Sequence, residues 1–116
     1  MATYKGSCHC GRITYEVDGD IQKAIDCNCS ICSRRGYLLA FLPRSALRLL
    51  TPDADMSSYT FNTHRIKHYF CPTCGCAPFG IGSDPKGNMM AAINLRCLQD
   101  MDTTALEISH FDGKKL

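Results

Sequence analysis

Three short cysteine knuckles constrain this chain more than any other feature. Nine cysteines occur in 116 residues. The first knuckle is Cys8-His9-Cys10, and the second is Cys27-Asn28-Cys29-Ser30-Ile31-Cys32. The third is Cys71-Pro72-Thr73-Cys74-Gly75, with Cys76 directly after it. Cysteines this close in sequence are strained as disulfide partners, yet their sulfurs converge readily on one metal ion. The odd total also weakens a fully paired disulfide framework. The pattern is that of a zinc protein, and its chemistry depends on how the sulfurs are divided.

The third knuckle is the most specific local signal. Its proline presets the first turn residue, and its glycine permits positive φ, so that backbone N–H groups can face the sulfurs. Such a loop supplies two ligands and needs two more. Cys8 and Cys10, on a hairpin-like N-terminal segment, complete a site of four thiolates, the pattern of structural zinc. Closing a loop of about sixty residues in this way makes metal binding part of the folding free energy. The second knuckle then stands alone. Three ligands, Cys27, Cys29 and Cys32, leave a fourth tetrahedral position open, as in catalytic zinc. Arg34 and Arg35 follow as groups to offset the thiolate charge or hold a substrate anion.

Other divisions remain open from spacing. Cys29 and Cys32 with Cys71 and Cys74 would form a zinc ribbon, and Cys29 and Cys32 with His64 and His68 a finger, but both need unusually long gaps. Closure of the second site by Cys76 or Cys97 would make it structural instead of catalytic.

The remaining chain reads as β-rich. Ile13, Tyr15 and Val17 alternate with Arg12, Thr14 and Glu16, a half-buried strand. Further strands are expected over 64–70, 37–42, 89–95 and 107–111. Single helical turns are expected over 30–35 and 43–46. With 45% hydrophobic residues and no linker or repeat, residues 1–116 are expected to form one domain whose modest core gains from metal clips. No apolar run approaches a membrane span. Met1 to Ser7 is too short and polar for a signal peptide, so a cytoplasmic location with reduced thiols is expected. The formal charge of +2 falls to about −1 once seven thiolates and two Zn²⁺ are counted. No basic stripe remains to suggest a nucleic acid partner.

Gly6-Ser7-Cys8-His9-Cys10-Gly11, Cys27-Asn28-Cys29-Ser30-Ile31-Cys32-Ser33-Arg34, Phe70-Cys71-Pro72-Thr73-Cys74-Gly75 and the closing His110-Phe111-Asp112-Gly113 together resemble the glutathione-dependent formaldehyde-activating enzyme family, also called the GFA or centromere-protein-V domain. The resemblance spans nearly the whole chain. It implies a mainly β, Mss4-like fold of coiled antiparallel sheets clipped by zinc. By motif match it implies a structural zinc on Cys8, Cys10, Cys71 and Cys74 and a catalytic zinc on Cys27, Cys29 and Cys32. It further implies a carbon–sulfur lyase acting on a thiol–aldehyde adduct such as S-hydroxymethylglutathione, with glutathione as the thiol. Asn28 stands where histidine is common in the family, and Cys76 where many members carry a hydroxyl residue.

Two other classes of function are considered from the residues. One is a noncatalytic, zinc-stabilised interaction module. The other is a redox enzyme like the B-type methionine sulfoxide reductases, with Cys97 as nucleophile, although the chain has no tryptophan for the substrate pocket those enzymes use.

Overall fold

The alternation at the N-terminal end produces the first sheet. In the computed structural model, which describes residues 2–115, β1 (Ala2–Ser7) and β2 (Thr14–Gly19) form an antiparallel hairpin. Ile13, Tyr15 and Val17 point inward and are essentially fully buried, while Glu16 and Asp18 stay on the outer face. The chain continues through β3 (Lys23–Cys27), the short helix α1 (Ser30–Arg35), β4 (Leu39–Pro43) and β5 (Leu47–Leu49). It then forms β6 (Ser57–Tyr59), β7 (Lys67–Phe70), β8 (Phe79–Ser83), β9 (Met89–Asn94) and β10 (Glu107–Phe111). One sheet has the order β1-β2-β5. The other has the order β10-β3-β4-β9-β8-β7-β6.

The two sheets share a core. Tyr15 of the small sheet meets Phe79 of the large one edge-on, with ring centroids 5.1 Å apart and planes at 83°. Edge-to-face packing of this kind suits the charge distribution of aromatic rings. Leu47, Ala91, Ile93, Leu95 and Leu98 fill the space around the pair. Room for the Tyr15 ring comes from Gly6, its cross-strand partner. A Cβ on Gly6 would stand 2.3 Å from the ring, so only glycine lets the ring fold across the neighbouring strand.

The architecture is mainly β, with one departure from a purely antiparallel arrangement. β10 lies parallel to β3, pairing Phe111 with Cys27. Parallel neighbours need a long crossover, and here nearly the whole large sheet intervenes between the two strands. A second departure concerns residues 64–70. The strand begins only at Lys67, because His64 adopts a positive φ of 57° and its ring bonds Thr60 Oγ1 at 2.7 Å. That turn leaves His64 in a loop rather than on the strand with His68. The turn expected over 43–46 is a 3₁₀ turn at Arg44–Ala46 with Pro43 before it. No described helix is long and apolar enough to cross a membrane.

Gly6→Ala is expected to destabilise the protein by roughly 1–3 kcal/mol through overpacking against Tyr15. Tyr15→Phe removes a buried hydroxyl that has no hydrogen-bond partner among the described residues, and is expected to leave stability unchanged or raise it by about 1 kcal/mol. Urea unfolding midpoints check both. A wild-type midpoint for Gly6→Ala would refute the packing account.

Candidate metal centres and active site

Two loops from different sheets build the first sulfur cluster. The β1–β2 hairpin loop carries Cys8 and Cys10, and the β7–β8 connection carries Cys71 and Cys74. Their four sulfurs lie within 4.8 Å of one another. Local backbone geometry sets this up. Gly11 and Gly75 take φ of 85° and 82°, values that glycine adopts without steric cost. The Gly75 N–H donates to the Cys71 carbonyl at 2.9 Å, and the Cys8 N–H donates to the Ile13 carbonyl at 3.1 Å. Arg12 ties one loop to the other, donating to Thr73 Oγ1 at 3.0 Å.

The spacing fits a metal. Cys10 Sγ is 3.7 Å from Cys8 Sγ and 3.6 Å from Cys71 Sγ. Disulfide sulfurs would be about 2.05 Å apart, whereas Zn–S bonds of about 2.3 Å hold tetrahedral sulfurs about 3.8 Å apart. Backbone N–H groups also face the sulfurs. Ile13 donates to Cys8 Sγ at 3.3 Å, and Thr73 and Cys74 both donate to Cys71 Sγ at 3.4 Å. The N–H groups of Cys76 and Cys10 lower the Cys74 thiol to about 5, and those of Cys74 and Thr73 lower Cys71 against the opposing effect of burial. Donors aimed at a sulfur favour the thiolate, the form that binds metal.

The second cluster forms where β3 runs into α1. Cys27 ends the strand, Cys29 is the residue before the helix, and Cys32 lies within it. Ser33 N–H donates to the Cys29 carbonyl, and Gly36, at φ 68°, closes the helix by donating to the Cys32 carbonyl, both at 2.9 Å. Cys27, Cys29 and Cys32 offer three sulfurs within 4.8 Å of one another. Among the described residues, no histidine, carboxylate or further cysteine joins that group. Burial raises the thiols of Cys27 and Cys32. Burial opposes ionisation of Cys29 too, but the Cys32 N–H and the neighbouring thiols hold it below its ordinary value. Within the group, Cys29 is thus the sulfur whose ionisation its surroundings favour most.

The C-terminal segment closes over this knuckle. Asn28 N–H donates to the Phe111 carbonyl at 3.2 Å. Its side chain donates to Asp112 Oδ1 at 3.0 Å and accepts from the Lys114 N–H at 2.9 Å. Gly113 is buried against Cys27 and Cys29, where a Cβ would stand 2.6 Å from Cys27 Sγ. This contact gives a physical reason for the closing Asp112-Gly113 pair.

The remaining cysteines belong to neither group. The Cys76 carbonyl accepts from the Cys71 N–H at 2.9 Å, which places Cys76 beside the four-sulfur loop. Cys97 Sγ contacts the Asn94 side chain at 3.6 Å, and burial pushes its thiol up to about 11. Neither closes the three-sulfur cluster, and burial disfavours the Cys97 thiolate. The ribbon and finger divisions fail because Cys29 and Cys32 group with Cys27, while Cys71 and Cys74 group with Cys8 and Cys10.

A cavity of about 300 Å³ opens beside the second cluster, with all three of its cysteines in the wall. From sequence, His68 entered only as a candidate finger ligand with His64, but its ring lines this cavity. It stacks on Phe61 with centroids 5.5 Å apart, and burial, then Arg35, lowers it below its ordinary 6.5. No local signal marked it, because its access to the cysteines depends on the pairing of β7 within the large sheet. Arg34 and Arg35 sit in the last turn of α1 and line an adjoining recess with Tyr59 and Phe61. Arg34 Nη1 donates to the Ser30 carbonyl, and Arg35 Nη1 to the Tyr37 hydroxyl, each at 2.8 Å.

Residues 3–112 match the family model described as glutathione-dependent formaldehyde-activating enzyme. The chain belongs to that family. Its sheets are the family's Mss4-like arrangement. A crystal structure of a Rhodobacter sphaeroides protein is similar, with a TM-score of 0.77 at 29% identity, covering 90% of this chain and 99% of that one. Family membership and the two cysteine clusters agree with zinc binding.

Two outcomes are expected. Gly113→Ala should reduce metal uptake at the three-sulfur cluster while sparing the four-sulfur cluster, measured as metal content per chain; an unchanged content would show that the C-terminal turn does not support the cluster. The lowered His68 value means the folded state holds the imidazole neutral. His68 therefore contributes stability above 6.5 that is lost as pH falls through its lower folded value. His68→Phe should flatten that part of the acid limb in thermal melts taken against pH.

Proposed function

We propose that this protein is a zinc-dependent carbon–sulfur lyase-like enzyme that makes or breaks thiol–aldehyde adducts such as S-hydroxymethylglutathione. In this reading each chain carries two Zn²⁺. Cys8, Cys10, Cys71 and Cys74 hold a structural ion, and Cys27, Cys29 and Cys32 hold the second. The observation that carries the reading is a three-sulfur cluster without a fourth ligand among the described residues, set in the wall of a cavity. Zn²⁺ on three sulfurs would supply a Lewis acid with one open coordination position.

The reaction needs little beyond that. The sulfur of the thiol forms a bond to the carbonyl carbon, and the C=O π pair moves to the oxygen. The proton released from sulfur ends on that oxygen, and the reverse path breaks the same C–S bond. His68 is the proton carrier, since burial and Arg35 favour its neutral, accepting form. Arg34 and Arg35 receive a carboxylate of glutathione. Neither has a salt bridge to a carboxylate among the described residues, so both charges remain available to substrate. The apolar wall limits water at the reacting carbon.

The test combines metal content with exchange kinetics. Wild type loaded with zinc is expected to accelerate formation and breakdown of S-hydroxymethylglutathione, followed by NMR exchange. The Cys27→Ser/Cys29→Ser/Cys32→Ser variant should lose one zinc and the acceleration together, with the fold retained. His68→Asn should lower the rate by roughly 10²-fold and remove the acid limb of the pH profile. A wild-type protein that holds both metals yet leaves every thiol–aldehyde exchange rate unchanged would sink the proposal.

A further inference from the structure

The cavity at the three-sulfur cluster is much larger than a formaldehyde-derived group requires. An apolar cavity of about 150 Å³ already holds benzene, and this one measures about 300 Å³. A hydroxymethyl group brings a single carbon and its oxygen. Leu39, Phe41, Phe61, Ile66, Phe79 and Phe111 are among the apolar residues of its wall. The polar groups there are few: the three thiols, His68, and a Tyr37 hydroxyl already engaged by Arg35.

The mouth is apolar as well. Phe41, Ile66 and Phe111 line the cavity and yet are 51%, 46% and 49% exposed. They come from β4, from the loop before β7, and from β10. Single exposed apolar residues are ordinary, but three converging on one opening form a surface that gains from being covered. The recess of about 470 Å³ holding Arg34 and Arg35 shares Ile31 and Phe61 with the cavity. A cationic chamber and an apolar chamber therefore adjoin across the same two side chains.

We propose that the aldehyde-derived half of the substrate is an aromatic group, seated in the apolar cavity while the anionic thiol half lies over Arg34 and Arg35. The inference rests on the thiol–aldehyde reading and names its substrate class: adducts of an anionic thiol, such as glutathione, with an aryl aldehyde. The chemistry is unchanged. The C–S bond forms at the aldehyde carbon, and the thiol proton ends on its oxygen. The ring occupies space that formaldehyde leaves empty, and burial of its apolar surface favours binding.

Non-reacting thioethers separate binding from turnover. Calorimetry on the zinc-loaded protein would compare S-benzylglutathione with S-methylglutathione, beside exchange rates for glutathione with benzaldehyde and with formaldehyde. The benzyl compound is expected to bind at least about tenfold tighter. Ala92→Leu, which adds bulk to the cavity wall, should erase that advantage and leave S-methylglutathione affinity unchanged. Should Ala92→Leu not fold, Phe41→Ala at the exposed mouth is expected to weaken benzyl binding severalfold with no change for methyl. Equal binding of the two thioethers, or benzyl affinity unaltered in a folded variant, would overturn the aromatic assignment. If formaldehyde exchange were still accelerated, the parent reading would stand. Failure to bind either thioether or to accelerate either exchange would overturn both.

Discussion

The convergence of Cys8, Cys10, Cys71 and Cys74 is the constraint that brings the two sheets to one point. The four sulfurs arrive on two loops, one from each sheet, and meet at distances suited to a tetrahedral metal. The core contact beneath them, Tyr15 against Phe79, joins the same two sheets. Cluster and core thus constrain one relative placement of the sheets. In a chain this small a metal bound there would contribute directly to folding, because the unfolded chain has no preformed site.

The second cluster follows a different logic. Its three sulfurs come from one stretch of six residues at a strand-to-helix junction, so it clips no distant loops through its ligands. Distant segments reach it in another way. β10 runs parallel to β3, and the Asn28 side chain grips the turn after that strand from both sides. Gly113 then rests on the Cys27 sulfur. The cluster is closed by backbone on that side and borders a cavity on another. Four-coordinate structural zinc sites are closed by protein ligands, and this cluster offers three sulfurs and a neighbouring cavity.

The electrostatic balance around the site is asymmetric. Arg34 and Arg35 stand at the end of α1, the three sulfurs lie at or near its start, and burial, then Arg35, lowers His68, which stacks on Phe61. Two guanidinium groups, an imidazole and three thiols therefore meet around one cavity and its adjoining recess. Each comes from a different local context, and only the packing of α1 against the large sheet makes them neighbours.

Much of this was legible in the residues. The knuckle spacings announce metal binding, since sulfurs a few residues apart converge through local backbone geometry alone. The alternation of Ile13, Tyr15 and Val17 marks a buried strand face, and the segments 30–35 and 107–111 carry the helix and strand their patterns suggest. The short strands β5 and β6 lacked enough residues to show a period. His64 and His68 looked alike in sequence, yet a positive φ at His64 separates them. What the sequence alone determined was the thiol chemistry of the knuckles, the local grouping of Cys27, Cys29 and Cys32, and the β character of the chain, because these depend on neighbours along the backbone. Tertiary structure alone decided that Cys76 and Cys97 stay outside the second cluster, that β10 lies parallel to β3, and that His68 faces the cavity beside the three sulfurs. Those outcomes rest on sheet order and register between distant segments, for which no local pattern carries a signal.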